Sequence, residues 1–187
     1  MSPDQRKLQQ AYDFFRSGRP DRAEEICARI LKKAPRHPLA HHLLGVLRLQ
    51  RGDLAAARRL LRTATELDPD NLQAREDLGV AEWSAHEFGR AEEVFKQAMQ
   101  RGKRGASTFG WCGIALTSQG KHAEAEEYFR RAVEAEPHNP NWRLNLGNAQ
   151  SVRAAYQEIV EAVSSHRPGA HINGVAVEPM IVRPNGR

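Results

Sequence analysis

Three histidines, His37, His41 and His42, stand close together near the start of a stretch that runs to Asn71. Two imidazoles four residues apart on one helix can share a zinc ion, but such a site needs further donors close by. Here Pro38 separates His37 from His41, so His37 precedes the helix, and the neighbouring sequence supplies no third ligand. The cluster therefore reads as surface histidines and implies no metal. His86-Glu87, and His122 with Glu124, fall at or near turns between helices, where such polar pairs carry no special chemistry. The cysteines, Cys27 and Cys112, stand at positions expected in a helix–helix core, which describes buried, reduced thiols and no disulfide framework. No G-x-S-x-G, phosphate-binding loop or strand-linked G-x-G-x-x-G occurs. By its own residues the chain reads as no enzyme, and no cofactor is implied.

What positions these residues is a repeat. Ala23, Ala57, Ala91 and Ala125 are spaced 34 residues apart, and so are Gly45, Gly79, Gly113 and Gly147. The best-formed unit carries Leu44-Gly45, then Arg51-Gly52-Asp53, Ala57, Leu61, Ala64 and Pro69, which describes two short amphipathic helices and a turn. Gly45 and Ala57 are small where two helices approach closely, Leu61 fills the space between them, and Asp53 can cap the second helix. The opening unit has Leu8, Ala11, Tyr12, Phe14 and Phe15 at helical spacing, then a turn at Ser17-Gly18-Arg19-Pro20-Asp21. Its second helix carries Ala23, Ile26, Cys27, Ile30 and Leu31.

The third unit departs twice from this pattern. His86 stands where a turn glycine is expected, and Lys103 replaces proline in a basic exit loop, Arg101 to Gly105. The fourth shows Cys112-Gly113, Gly120, Ala125, Phe129, Ala132 and Pro137. A fifth begins with Leu146-Gly147 but has the helix-forming Arg153-Ala154-Ala155 in place of a turn. Val152, Tyr156, Ile159, Val160 and Val163 continue its apolar stripe, so one long helix, or two with a tight break, is expected to cap the array.

A 34-residue period with leucine–glycine, alanine, aromatic and proline marks resembles the tetratricopeptide repeat family. The resemblance covers residues 4–165, as units of about 4–37, 38–71, 72–105 and 106–139 followed by a capping helical segment, 140–165. Residues 166–187 hold Pro168-Gly169, Asn173-Gly174 and Asn185-Gly186, and read as an extended or disordered tail, an arm packed on the array, or the start of another domain. The resemblance implies an all-α, right-handed superhelical solenoid of antiparallel helix pairs whose first helices line a concave face. It further implies a protein-binding scaffold or adaptor.

By that family's geometry the groove residues are Tyr12 and Phe15; His42, Val46 and Leu49; Glu76, Val80 and Trp83; Gly110, Trp111, Ile114 and Thr117; and Leu144, Asn145 and Asn148. So apolar a set implies an apolar or amphipathic protein segment as ligand. Trp83 and Trp111 either anchor that segment or pack between adjacent first helices. The family's cationic clamp for chaperone C-terminal carboxylates has no counterpart, because its positions fall on residues such as Leu8, Tyr12, Leu43, Gln73 and Asp77. The asparagine ladder of the glycosyltransferase repeats is reduced to Asn145 and Asn148.

Composition narrows the partners. The net charge is only +5, and arginines are interleaved with glutamates, as in Glu126-Glu127-Tyr128-Phe129-Arg130-Arg131. Such mixed faces are solvated surface and give no nucleic-acid footprint. The N-terminus has no apolar run behind its charges, and no segment is long enough to span a bilayer, so a cytoplasmic protein is expected. Two alternatives to a free-standing adaptor stay open. The array could dock or position substrate for a larger enzyme, or it could self-assemble, with the groove taking the tail or terminal helix of another copy.

Overall fold

A computed structural model describes residues 3–164, together with 171–172 and 175–176. Nine helices follow one another among them: α1 (Pro3–Arg16), α2 (Pro20–Lys33), α3 (Pro38–Gln50), α4 (Leu54–Leu67), α5 (Leu72–Ser84), α6 (Phe88–Gln100), α7 (Ala106–Thr117), α8 (His122–Ala135) and α9 (Pro140–Ser164). Two short strands, β1 (His171–Ile172) and β2 (Val175–Ala176), pair antiparallel. Most of the tail, residues 166–187, for which an extended or disordered end, an arm on the array or the start of another domain was expected, lies outside the described residues.

Local chemistry sets the helix boundaries. Pro20 and Pro38 open α2 and α3, where the missing N–H costs nothing. The side chains of His37, Asp53 and Asn71 accept from the backbone N–H of Ala40, Ala56 and Ala74 at 3.3, 3.1 and 3.0 Å, capping α3, α4 and α5. The turns within pairs need a left-handed residue, and Gly52 and Gly120 each supply it at a φ of 76°. His86 adopts the same conformation at 60° without glycine's freedom.

Packing within α3–α4, α5–α6 and α7–α8 shares one close contact. A Cβ added to Gly45, Gly79 or Gly113 would lie 2.7, 2.6 or 2.7 Å from the side chain of Leu61, Phe95 or Phe129. Glycine therefore lets the second helix press a large side chain against the first helix's backbone. The buried residues form three clusters along the array: one around Leu8, Ile30 and Leu43, one around Leu61 and Leu78, and one around Phe95, Leu116 and Phe129. Cys27 and Cys112 are buried in the first and last, both as free thiols.

The result is an all-α solenoid of antiparallel helix pairs. Its curvature follows from which helices touch. α1 meets α3, α3 meets α5, α5 meets α7 and α7 meets α9, whereas α2, α4, α6 and α8 make no such contacts with one another. Among the described residues the first helices thus line the inside of the curve.

Ion pairs fix the joints between units. Glu24, Arg58, Glu92 and Glu126 occupy one frame position, 34 residues apart. Each reaches forward: Glu24 to Arg48 and Arg51, Arg58 to Glu82 at 2.7 Å, Glu92 to Lys121 at 2.9 Å, and Glu126 to Arg153 at 2.7 Å. The second joint runs with the opposite polarity to the others.

Candidate protein-binding face

The inside of the curve is built from residues that point off the leucine–glycine marks of α1, α3, α5, α7 and α9. At its first end Tyr12 and Phe15 are half-buried against the cluster of Leu8, Ala11 and Leu43. Burial, with smaller contributions from Cys27 and Asp77, raises the Tyr12 phenol above its ordinary pKa. Val46 and Leu49 pack against the neighbouring cluster of Leu61 and Leu78.

Three of the expected groove residues are not open to a ligand. His42 is 7% exposed, and its Nε2 sits 2.6 Å from Oδ2 of Asp77, whose other oxygen accepts from Gln73 at 3.2 Å. Glu76 is 5% exposed and accepts from the hydroxyls of Ser107 and Thr108 at 2.6 and 3.0 Å, with the Lys103 ammonium at 3.5 Å. Gly110 is buried, and a Cβ there would come within 2.3 Å of the Trp142 ring. These residues hold one frame position in successive first helices, and the curvature presses the next first helix onto each. They tie the units together; they do not line an open groove.

The open part lies further along. Val80, Trp83, Trp111 and Ile114 are all half-buried against the last cluster. The rings of Trp83 and Trp111 meet edge to face, with centroids 5.4 Å apart, and the Trp83 indole N–H donates to the Ser118 hydroxyl at 3.1 Å. The two rings thus pack between adjacent first helices and keep part of their surface outward. Beyond them a cavity of about 170 Å³ opens between α7, α8 and α9. Ile114, Phe129 and Ala149 are among its apolar walls, and Asn145, Asn148 and His122 bring polar atoms to it. That volume is below the ~300 Å³ at which small-molecule pockets begin, and suits one inserted side chain. Thr117 and Asn148 are exposed, Asn145 is half-buried, and Leu144 is 64% exposed.

Phe129 and His122 were not among the residues expected here, because both belong to a second helix. Phe129 was legible only as the filler opposite Gly113. The histidines of the sequence-level zinc question have structural roles: His37 caps α3, and His41 donates from Nε2 to the Pro35 carbonyl at 2.8 Å. Among the described residues no three His, Cys, Asp or Glu side chains gather as a metal site, and no helix is long and apolar enough to cross a membrane.

Sequence models described as tetratricopeptide repeat match residues 8–60, 42–106 and 116–158. A model of the ATP-grasp domain matches residues 142–187, overlapping α9 and the tail. The chain is similar to the cellulose synthase operon protein C of Komagataeibacter xylinus, at 28% identity over 100 residues. That match spans 53% of this chain and 8% of the relative. Among solved structures, MamA from Desulfovibrio magneticus RS-1 superposes with a TM-score of 0.75 at 16% identity, over 88% of this chain and 94% of that one. A thermophilic repeat protein of Thermus thermophilus, TTC0263, superposes at 0.66 with 22% identity, over 87% and 91%. At these identities the likeness is one of fold.

Proposed function

Because this chain belongs to the tetratricopeptide repeat family, whose fold is a scaffold for protein–protein contacts, we propose that its inner face binds an apolar or amphipathic segment of a partner protein. One observation carries this reading. The indole N–H of Trp83, whose ring meets that of Trp111, donates to Ser118, and Ser118 lines a side-chain-sized cavity walled by Ile114, Phe129 and Ala149 and bordered by Asn145 and Asn148. An extended or helical segment can lay one large apolar side chain into the cavity and a second against the tryptophans. The two amides are placed to hydrogen-bond its backbone. Aromatic anchors of this kind are each worth about 2 kcal/mol or more when fully covered. The contributing residues are Val46, Leu49, Val80, Trp83, Trp111, Ile114, Leu144, Asn145 and Asn148, with Tyr12 and Phe15 at the far end.

The test is selection of a random peptide library displayed on phage against the wild-type protein and against an Asn145→Arg/Asn148→Arg variant. These substitutions crowd the cavity mouth without touching the core, so far-ultraviolet circular dichroism should be unchanged. Enrichment of peptides with spaced large apolar residues, lost in the variant and accompanied by a shift in tryptophan emission, supports the reading. Equal enrichment by both proteins overturns it.

A second reading has its own support: the array positions substrate or partner for a larger enzyme. It rests on the ATP-grasp match at 142–187 and on the small part of the curated relatives that the chain matches. Intact mass of the protein isolated from its source decides between them. A mass far above 21.0 kDa favours the module, and a mass near it favours the free-standing adaptor.

A further inference from the structure

Among the described residues no further helix follows α9, and the chemistry of the face this leaves states what can cover it. His42, Glu76 and Gly110 are each buried under the next first helix, whereas Leu144, at the same frame position in α9, is 64% exposed. Gly45, Gly79 and Gly113 each press on a large side chain of the following helix, yet nothing lies within 4 Å of a Cβ built on Gly147. Beyond Leu144 the exposure continues through Val152, Tyr156 and Ile159, at 43, 67 and 39%. At 100° per residue, Leu144, Asn148, Val152, Ala155, Tyr156 and Ile159 fall within about 120° of one side of the helix. The helix's charged residues, Arg143, Arg153, Glu158 and Glu161, all fall outside that arc. The arc also takes in the amides of Asn141, Asn145 and Asn148, but from Val152 to Ile159 it is apolar and uncharged, unlike the outer surface of a polar terminal cap.

We propose that this face of α9 is a dimer interface, covered by α9 of a second copy in antiparallel, two-fold arrangement. Among the described helices, α1 of a second copy in a head-to-tail stack is the other candidate to cover it, and its residues do not match. α1 carries Arg6, Gln10 and Asp13, all exposed, at the frame positions where α9 packs Trp142, Leu146 and Ala149 against its neighbours. A second copy's α1 would bring charge to a surface that has none to answer it. The apolar end therefore matches itself, as an isologous interface requires. Two copies also meet without like-charge repulsion, since the arc holds no ionised group. Alanine at 155 lets the helix axes approach closely. The exposed side chains offer on the order of 400 Å² per copy, about half of the ~800 Å² per partner of a standard interface. The dimer is accordingly a concentration-dependent one. This interface shares Leu144 and Asn148 with the peptide-binding reading, and Val152 lines the same cavity, so the variants that test it are placed at Tyr156 and Ile159, outside the proposed groove.

Sedimentation equilibrium of the 187-residue protein over a hundredfold concentration range tests it. The wild type should pass from monomer to dimer, Tyr156→Glu/Ile159→Glu should raise the dissociation constant at least tenfold with helicity unchanged, and Tyr156→Phe should leave it unchanged. Ala155→Cys supplies a second readout that does not depend on destabilising the helix. A short bismaleimide should join two copies of that variant and none of the wild type, whose Cys27 and Cys112 are buried. A protein that stays monomeric throughout, or a dimer indifferent to Tyr156→Glu/Ile159→Glu, overturns the proposal. Monomeric behaviour would leave the face to a foreign helix or to polypeptide beyond this sequence.

Discussion

The reversed joint between the second and third units gives the sharpest quantitative prediction. Glu82 is 2% exposed, and its carboxylate oxygens lie 2.7 Å from an Arg58 nitrogen and 2.8 Å from one of Arg62. Arg58 is itself only 22% exposed, so neither partner is well solvated if the other is removed. Glu82→Gln should therefore cost about 3 kcal/mol, the usual penalty for stranding one member of a buried pair. Arg58→Glu should cost at least as much, because it sets two carboxylates together. The exchanged protein, Arg58→Glu/Glu82→Arg, has the polarity that Glu24 and Arg48 already show one unit earlier. It should recover at least ~1.5 kcal/mol of the combined loss as coupling energy. Arg62 limits the recovery, since it now faces a cation, although at 51% exposure that repulsion is screened. Urea denaturation of the wild type, Arg58→Glu, Glu82→Arg and the exchanged protein, followed by far-ultraviolet circular dichroism, closes the cycle. A coupling energy below ~0.5 kcal/mol would refute the idea that this ion pair fixes the joint between the two units, and would leave packing alone to do so.

Four further outcomes follow from single positions. Gly79→Ala brings a methyl to within 2.6 Å of the Phe95 ring and should lose about 1–2 kcal/mol to overpacking. Gly147→Ala, at the same repeat mark but with nothing opposite, should gain about 0.5–1 kcal/mol of helix propensity, and urea midpoints read both signs. His86→Gly relieves a left-handed residue and should stabilise by about 1 kcal/mol. That gain corresponds to a rise in Tm of roughly 2–4 °C by differential scanning calorimetry. Burial works against the charged form of Glu92, but hydrogen bonds from Lys96, Lys121 and Gln119 outweigh it and hold the pKa at about 2, against an ordinary 4.5. A carboxylate depressed in the folded state stabilises above its unfolded pKa, so this contribution is present at neutral pH and fades as pH falls from about 4.5 towards about 2. Urea titrations across that window should show the loss in the wild type and a flatter response in Glu92→Gln.

The parts of this molecule that were legible in the sequence are those decided within one repeat. The spacing of Gly45, Gly79 and Gly113 from Leu61, Phe95 and Phe129 is a local matter of sixteen residues in each case, and the period announces it. Asp53 as a cap, and Cys27 and Cys112 as core thiols, are local in the same sense. What the sequence hid is decided between repeats. His42, Glu76 and Gly110 look like groove residues because the family's geometry points them inward. Whether an inward residue meets ligand or the next helix depends on how tightly the array curves. That curvature is the sum of many contacts between units, and it brings Asp77, Ser107 and Trp142 over those positions.

One frame position thus has four fates along a single chain: an imidazole–carboxylate tie at His42, a buried carboxylate at Glu76, a slot for indole at Gly110, and an open leucine at Leu144. The residue type does not choose among them so much as whether another helix follows. Each closed position spends inner surface on holding the next unit, so surface for a ligand survives best where stacking weakens or stops. In this chain that is the last third, where the cavity by Ile114 and Asn148 opens beside α9 and the apolar arc runs out past Tyr156. Ligand binding and self-association are therefore expected at the same end of the solenoid. The same physics places them there: the helix that would have consumed the surface is not supplied by the repeat frame.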